Sequence, residues 1–106
     1  MLDGMRTLEW RKAEVNALCE RFRVRRLWVF GSAVKGTWSS DKSDFDFAVE
    51  FGARPHGMRA IEQFVGLQRE FEALFGRKVD IVEWSAATNA FFRRDVERNR
   101  RELYAA

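Results

Sequence analysis

The segment Ser43-Asp44-Phe45-Asp46-Phe47 sets two carboxylates two residues apart. It opens the stretch DFDFAVEF, where Phe45, Phe47, Val49 and Phe51 alternate with Asp44, Asp46, Ala48 and Glu50. That alternation predicts a β-strand, an element in which aspartate is disfavoured. Side chains at i and i+2 leave a strand in the same direction, roughly 7 Å apart at the backbone, and two carboxylates so placed repel unless a cation lies between them. The competing structural reading is an acidic solvent face on an edge strand, which discourages edge-to-edge pairing. A third acid, Asp80, interrupts the apolar run Val79-Asp80-Ile81-Val82. Burying a lone carboxylate is costly, so Asp80 must be paired, protonated or bound to metal. An arginine from a helix is its structural alternative.

Gly31-Ser32 follows the apolar run Leu27-Trp28-Val29-Phe30. Glycine lets a ligand approach the backbone, and serine adds a hydroxyl and an N–H. If a helical turn opens at Ala33, its free N–H groups make an anion site; the plain alternative is a strand-to-turn Gly-Ser. Gly31 to Gly36 also spells G-x-x-x-x-G, but Thr37-Trp38 follows where a P-loop needs lysine. An EF-hand loop begun at Asp41 would put Phe45 at a ligand position and Asp46 where glycine is required.

Cys19 is the only cysteine and His56 the only histidine. An internal disulfide and a Cys₄ or Cys₂His₂ zinc site are therefore excluded. Any metal would be held by oxygen, which points to Mg²⁺, Mn²⁺ or Ca²⁺. An anion loop, a carboxylate pair and a lone carboxylate from another strand together describe a two-metal phosphoryl-transfer site, with ions about 3.5–4 Å apart.

The elements that must position these groups follow from periodicity. Helical spacing predicts a helix from Thr7, as N-cap, to Phe22, through Val15, Leu18 and Cys19. A buried strand spans Leu27–Phe30, with a possible turn of helix at Ala33 to Lys35. After the alternating strand and the loop around Pro55, a helix runs from about Met58 to Phe75 and stops at Gly76. Lys78–Trp84 is a third strand, and Thr88–Tyr104 reads as a final helix. The expectation is an α/β (α+β) fold, one domain over residues 1–106, with a small mixed sheet of about three strands and helices packed on it.

The 106 residues are 46% hydrophobic and 33% charged, with a net charge of +3. That supports one core and mildly favours a polyanionic ligand such as a nucleotide, while direct nucleic-acid binding is not expected. Without a signal peptide or a long apolar run, the expected compartment is the cytoplasm and no membrane partner is foreseen.

VFGSAVKG, SDFDFAVEF and VDIV in succession resemble the minimal nucleotidyltransferases (MNT) of the DNA polymerase beta superfamily, over about Leu27 to Tyr104. The resemblance implies that Gly31 and Ser32, with Lys35 and Ser43, hold a nucleoside triphosphate, ATP first. It implies two Mg²⁺ ions (Mn²⁺ as the substitute) bound by Asp44, Asp46 and Asp80, the last also helping to deprotonate the acceptor. Two departures stand out: Ala33 and Lys35 occupy positions where family members often carry arginine, and the loop from Gly36 to Asp44 is one residue longer than in the shortest members. The ending NAFFRRDVERNRRELYAA resembles MNT antitoxins that pair with HEPN-domain toxins, implying AMP transfer to a hydroxyl of such a partner. Neutralisation by contact alone and transfer to a small molecule are the alternatives. Trp10, Trp28, Trp38 and Trp84 read first as core or loop packing, with base stacking by Trp38 as the alternative, and Phe91 and Phe92 cannot both face one core, so one is a candidate partner contact. Arg93, Arg94, Arg98, Arg100 and Arg101 read first as a solvated helix face.

Overall fold

The computed structural model describes residues 3–39 and 44–106. Ser43 and Asp41 therefore lie outside the described residues. The order is α1 (Gly4–Trp10), α2 (Lys12–Arg21), β1 (Val24–Phe30), α3 (Ser32–Lys35), β2 (Phe45–Phe51), α4 (Ala60–Phe75), β3 (Val79–Glu83), a 3₁₀ turn (Trp84–Ala86), α5 (Ala90–Asn99) and β4 (Arg101–Ala105). The mixed α/β fold is as expected. The sheet has four strands in the order β3-β2-β1-β4; β3 runs parallel to β2, and the other pairs are antiparallel.

The fourth strand corrects the expected final helix. α5 ends at Asn99, whose side-chain amide donates to the carbonyl of Asp95 one turn back. Such local bonding competes with the helical ladder. Arg100 is extended at φ −63°, ψ 148°, and the chain then lies along β1, with Arg101 opposite Val29 and Tyr104 opposite Leu27. The β1 edge gains a ladder of backbone hydrogen bonds, and Leu103 and Tyr104 reach the core. No glycine or proline marks this change in the sequence.

The expected first helix is likewise two. α1 is capped by Asp3, which accepts from the Arg6 N–H, while Thr7 lies inside the helix and donates its hydroxyl to the Asp3 carbonyl. The break at Arg11 lets α1 lean on α3, bringing the buried Gly4 against Ala33 and Trp38.

β2 is a central strand, so the edge-protection reading of its acids fails. Its two faces serve different layers. Phe45, Phe47 and Val49 are fully buried against Leu67 and Phe71 of α4, with Leu27, Val29, Val79 and Ile81 beside them. Phe47 meets Phe71 at 5.1 Å between ring centroids. The buried Gln63 ties α4 to the end of α2 by donating to the Phe22 carbonyl. On the other face a smaller cluster of Trp28, Ala48, Trp84 and Val96 lies under α5, with Phe30 and Phe92 at its margin.

Cys19 is fully buried and its thiol is pushed up to about 12 by that burial, so it is an inert core residue. No helix among the described residues is long and apolar enough to cross a membrane.

Phe47→Ala should remove about 3–5 kcal/mol of stability through lost burial and the cavity left behind. Chemical denaturation at neutral pH measures it.

Candidate active site

β1 ends at Phe30, whose register partner on β2 is Asp46. Asp46 in turn lies beside Asp80 of β3 in the parallel register. Directly paired residues point to the same side of a sheet, so Phe30, Asp46 and Asp80 share the face that α5 partly covers. Asp44 sits one residue before β2 with the parity of Asp46. Asp46 and Asp80 thus stand side by side at one end of the sheet, with Asp44 near enough for its charge to raise the Asp46 carboxyl.

Gly31 closes the site from the β1 side. Its φ is 75°, a left-handed conformation that side chains rarely adopt. A Cβ built on it would collide with the Asp46 carboxylate at Oδ2. The glycine is therefore required twice, for the bend and for the approach of backbone to carboxylate. α3 opens at Ser32, one residue before the turn expected at Ala33, and the Ser32 hydroxyl has no hydrogen-bond partner among the described residues.

The electrostatics agree with the geometry. The Asp46 carboxyl is raised above its ordinary value, first by burial and then by the charges of Asp80 and Asp44, with Lys78 pulling weakly the other way. Asp80 is half exposed on an edge strand and faces Lys78 across 3.7 Å. Its expected alternatives, deep burial or an arginine from a helix, are both replaced by this loose pairing. Among the described residues no three acidic, histidine or cysteine side chains form a ready-made cation cage. Lys78 offsets only part of the repulsion among these acids. The donor set itself, all oxygen and short of positive charge, is the kind that hard divalent cations satisfy.

Two sequence candidates sit differently from expectation. Lys35, at the end of α3, faces Asp95 of α5 across 3.6 Å at the surface. Trp38 does not line the site: it stacks on Phe45 at 5.1 Å under the Arg77 guanidinium at 4.3 Å, and Phe45 is on the opposite face of β2 from Asp46. The C-terminal arginines divide. Arg93 and Arg100 lie over the Trp84 ring at 4.1 and 5.2 Å, and Arg100 also covers Trp28 at 4.2 Å. Arg93 further donates to the carbonyls of Trp84 and Ala87. These two are structural, whereas Arg94, Arg98 and Arg101 are exposed. Phe91 is 81% exposed while Phe92 packs on Phe30, so only one of the pair faces inward, as their adjacency required.

The profile of the nucleotidyltransferase domain family matches residues 13–103. This chain belongs to that family. It is similar to the protein adenylyltransferase MntA of Thermococcus cleftensis, 41% identical over 70 residues that make up 66% of each chain. It thus spans just under two thirds of that relative's length. A solved structure assigned as a minimal nucleotidyltransferase is 32% identical, with a TM-score of 0.72 over 94% of this chain and 95% of that one. The MNT antitoxin in complex with the tri-AMPylated HEPN toxin of Shewanella oneidensis shares the fold at 17% identity, with a TM-score of 0.63 over 92% of this chain and 72% of that one.

Because the folded state raises the Asp46 pKa, it holds that proton more tightly than the unfolded chain. Stability therefore falls as pH rises from the ordinary aspartate value of 3.8 through the raised one, and the cost of the ionised group is complete above it. Asp46→Asn should melt a few degrees higher than the parent at pH 7 in a chelator, and the gap should close on acidification toward pH ~4. Thermal melts across that range check it.

Proposed function

We propose that this chain transfers AMP from ATP to a hydroxyl of a HEPN-type partner protein, as the antitoxin of a toxin–antitoxin pair in the cytoplasm. The observation that carries the reading is the pairing of Asp46 with Asp80 on one sheet face, against Gly31 and within the field of Asp44. The relative named protein adenylyltransferase supports the choice of reaction, and the AMPylated HEPN toxin held by a protein of the same fold supports the choice of acceptor.

Asp44, Asp46 and Asp80 would hold two Mg²⁺ ions, with Mn²⁺ as a substitute. Such ions neutralise the triphosphate and stabilise charge on the attacking and leaving oxygens. The Gly31 bend and the Ser32 N–H and hydroxyl would receive the phosphates, and Lys35 would exchange Asp95 for a phosphate oxygen as a point charge without arginine's fork. Ser43 belongs to the proposed nucleotide contacts but lies outside the described residues. The acceptor hydroxyl attacks the α-phosphorus and its proton passes to Asp80. The new O–P bond forms as the bond to pyrophosphate breaks, leaving an AMP-modified side chain and pyrophosphate.

Neutralisation by contact alone needs no acidic cluster, and the raised Asp46 shows that the cluster is held against its own repulsion. A chain that only bound its partner would be more stable without it.

ATP- and metal-dependent labelling of the protein encoded beside this one, read by mass spectrometry, is the test. Asp44→Asn and Asp46→Asn should each cut labelling by at least ~100-fold, as loss of transition-state charge stabilisation does, while the fold is retained. Labelling by the double variant at the parental rate would disprove the site. Full neutralisation of the partner by that variant, with no modified product, would establish the contact-only reading.

Gly31→Ala should lose labelling comparably, since its methyl would occupy the space of the Asp46 carboxylate.

A further inference from the structure

We propose that the Phe92 ring, set against Phe30, is the shelf on which the nucleobase of the triphosphate stacks. The site then selects bases by ring area and not by their hydrogen-bonding edges. This rests on the chain using a nucleoside triphosphate, as proposed above.

Phe30 precedes the Gly31 bend and is the register partner of Asp46, so its ring leaves the sheet on the carboxylate face, one strand over. Phe92, in the first turn of α5, meets it in a T-shaped contact, with centroids 5.8 Å apart and planes at 81°. In that arrangement the ring that contributes its edge keeps both its faces free of the other. Both residues are only partly buried.

The two indoles of this face and the stacked rings of the opposite layer are already occupied. On this same face Trp28 lies under Arg26 and Arg100, and Trp84 between Arg93 and Arg100. No guanidinium covers Phe30 or Phe92 among the described residues. Trp38, Phe45, Phe47, Phe71 and Phe75 stack on one another in the opposite layer. A base extending from phosphates held at Gly31 and the carboxylates therefore meets one open aromatic pair.

The pair is also joined to the phosphate side. α5, which carries Phe92, is tied to α3 by the Lys35–Asp95 contact at 3.6 Å. Stacking on an aromatic ring tolerates every base, because every base has a π-face. The larger purines gain more from it, so ATP and GTP should bind similarly and both should exceed CTP.

Equilibrium titration of the whole chain with ATP, GTP, CTP and inorganic tripolyphosphate, in Mg²⁺, tests the shelf. Phe92→Ala should weaken ATP and GTP about 5- to 30-fold. It should leave tripolyphosphate, which has no base, within about twofold, and Phe92→Tyr should restore the purines. Unchanged ATP affinity in Phe92→Ala, or equal loss of ATP and tripolyphosphate, overturns the shelf and leaves the transferase reading standing. A parent chain that binds neither triphosphate nor tripolyphosphate overturns both.

Discussion

Gly31 turns the chain with its backbone against the Asp46 carboxylate, in a conformation that residues with a Cβ rarely adopt. Much else is arranged around this contact. It ends β1 beside Asp46, starts α3 there, and brings the Ser32 hydroxyl to the same corner. It also holds a carboxylate where burial and two like charges already oppose its ionisation. A group held in its charged form at such a cost, in a cleft beside like charges, is a mark of functional sites.

The rest of the sheet supplies the stiffness that keeps the acids in place. β2 is covered on one side by the phenylalanine layer of Phe45, Phe47 and α4, and on the other by Ala48 under Trp28, Trp84 and α5. Asp46, near its start, escapes this double cover, as do Glu50 and Phe51 at its far end. Arginines reinforce the thinner layer: Arg93 and Arg100 lie over indole faces and hold α5 down. A guanidinium on an aromatic face contributes about 0.5–2 kcal/mol depending on desolvation, so residues that read as solvated charge are part of the packing.

Much of this was legible from residue order. The strict alternation from Asp44 to Phe51 determined which side chains share a face, and the apolar run before Gly31 determined a buried strand. The fourth strand was not legible. Arg101 to Ala105 has neither a glycine nor a proline before it, and its five residues suit a helix end as well as an edge strand. Its state was decided by the open β1 edge, which periodicity within the segment cannot register. The same holds for the break at Arg11, set by the packing of Gly4 against Ala33.

The chain's order of residues alone determined that two aspartates would project together, that no sulfur or histidine cluster could bind metal, and that a glycine-serine corner would end a buried strand. These are local matters of backbone geometry and residue chemistry. Tertiary structure decided that Asp80 stands beside Asp46 and not against a helix arginine, that Trp38 belongs to the far layer, and that Phe92 meets Phe30. Each of those depends on which strands pair and in what register, and register is set by the whole apolar face seeking burial at once.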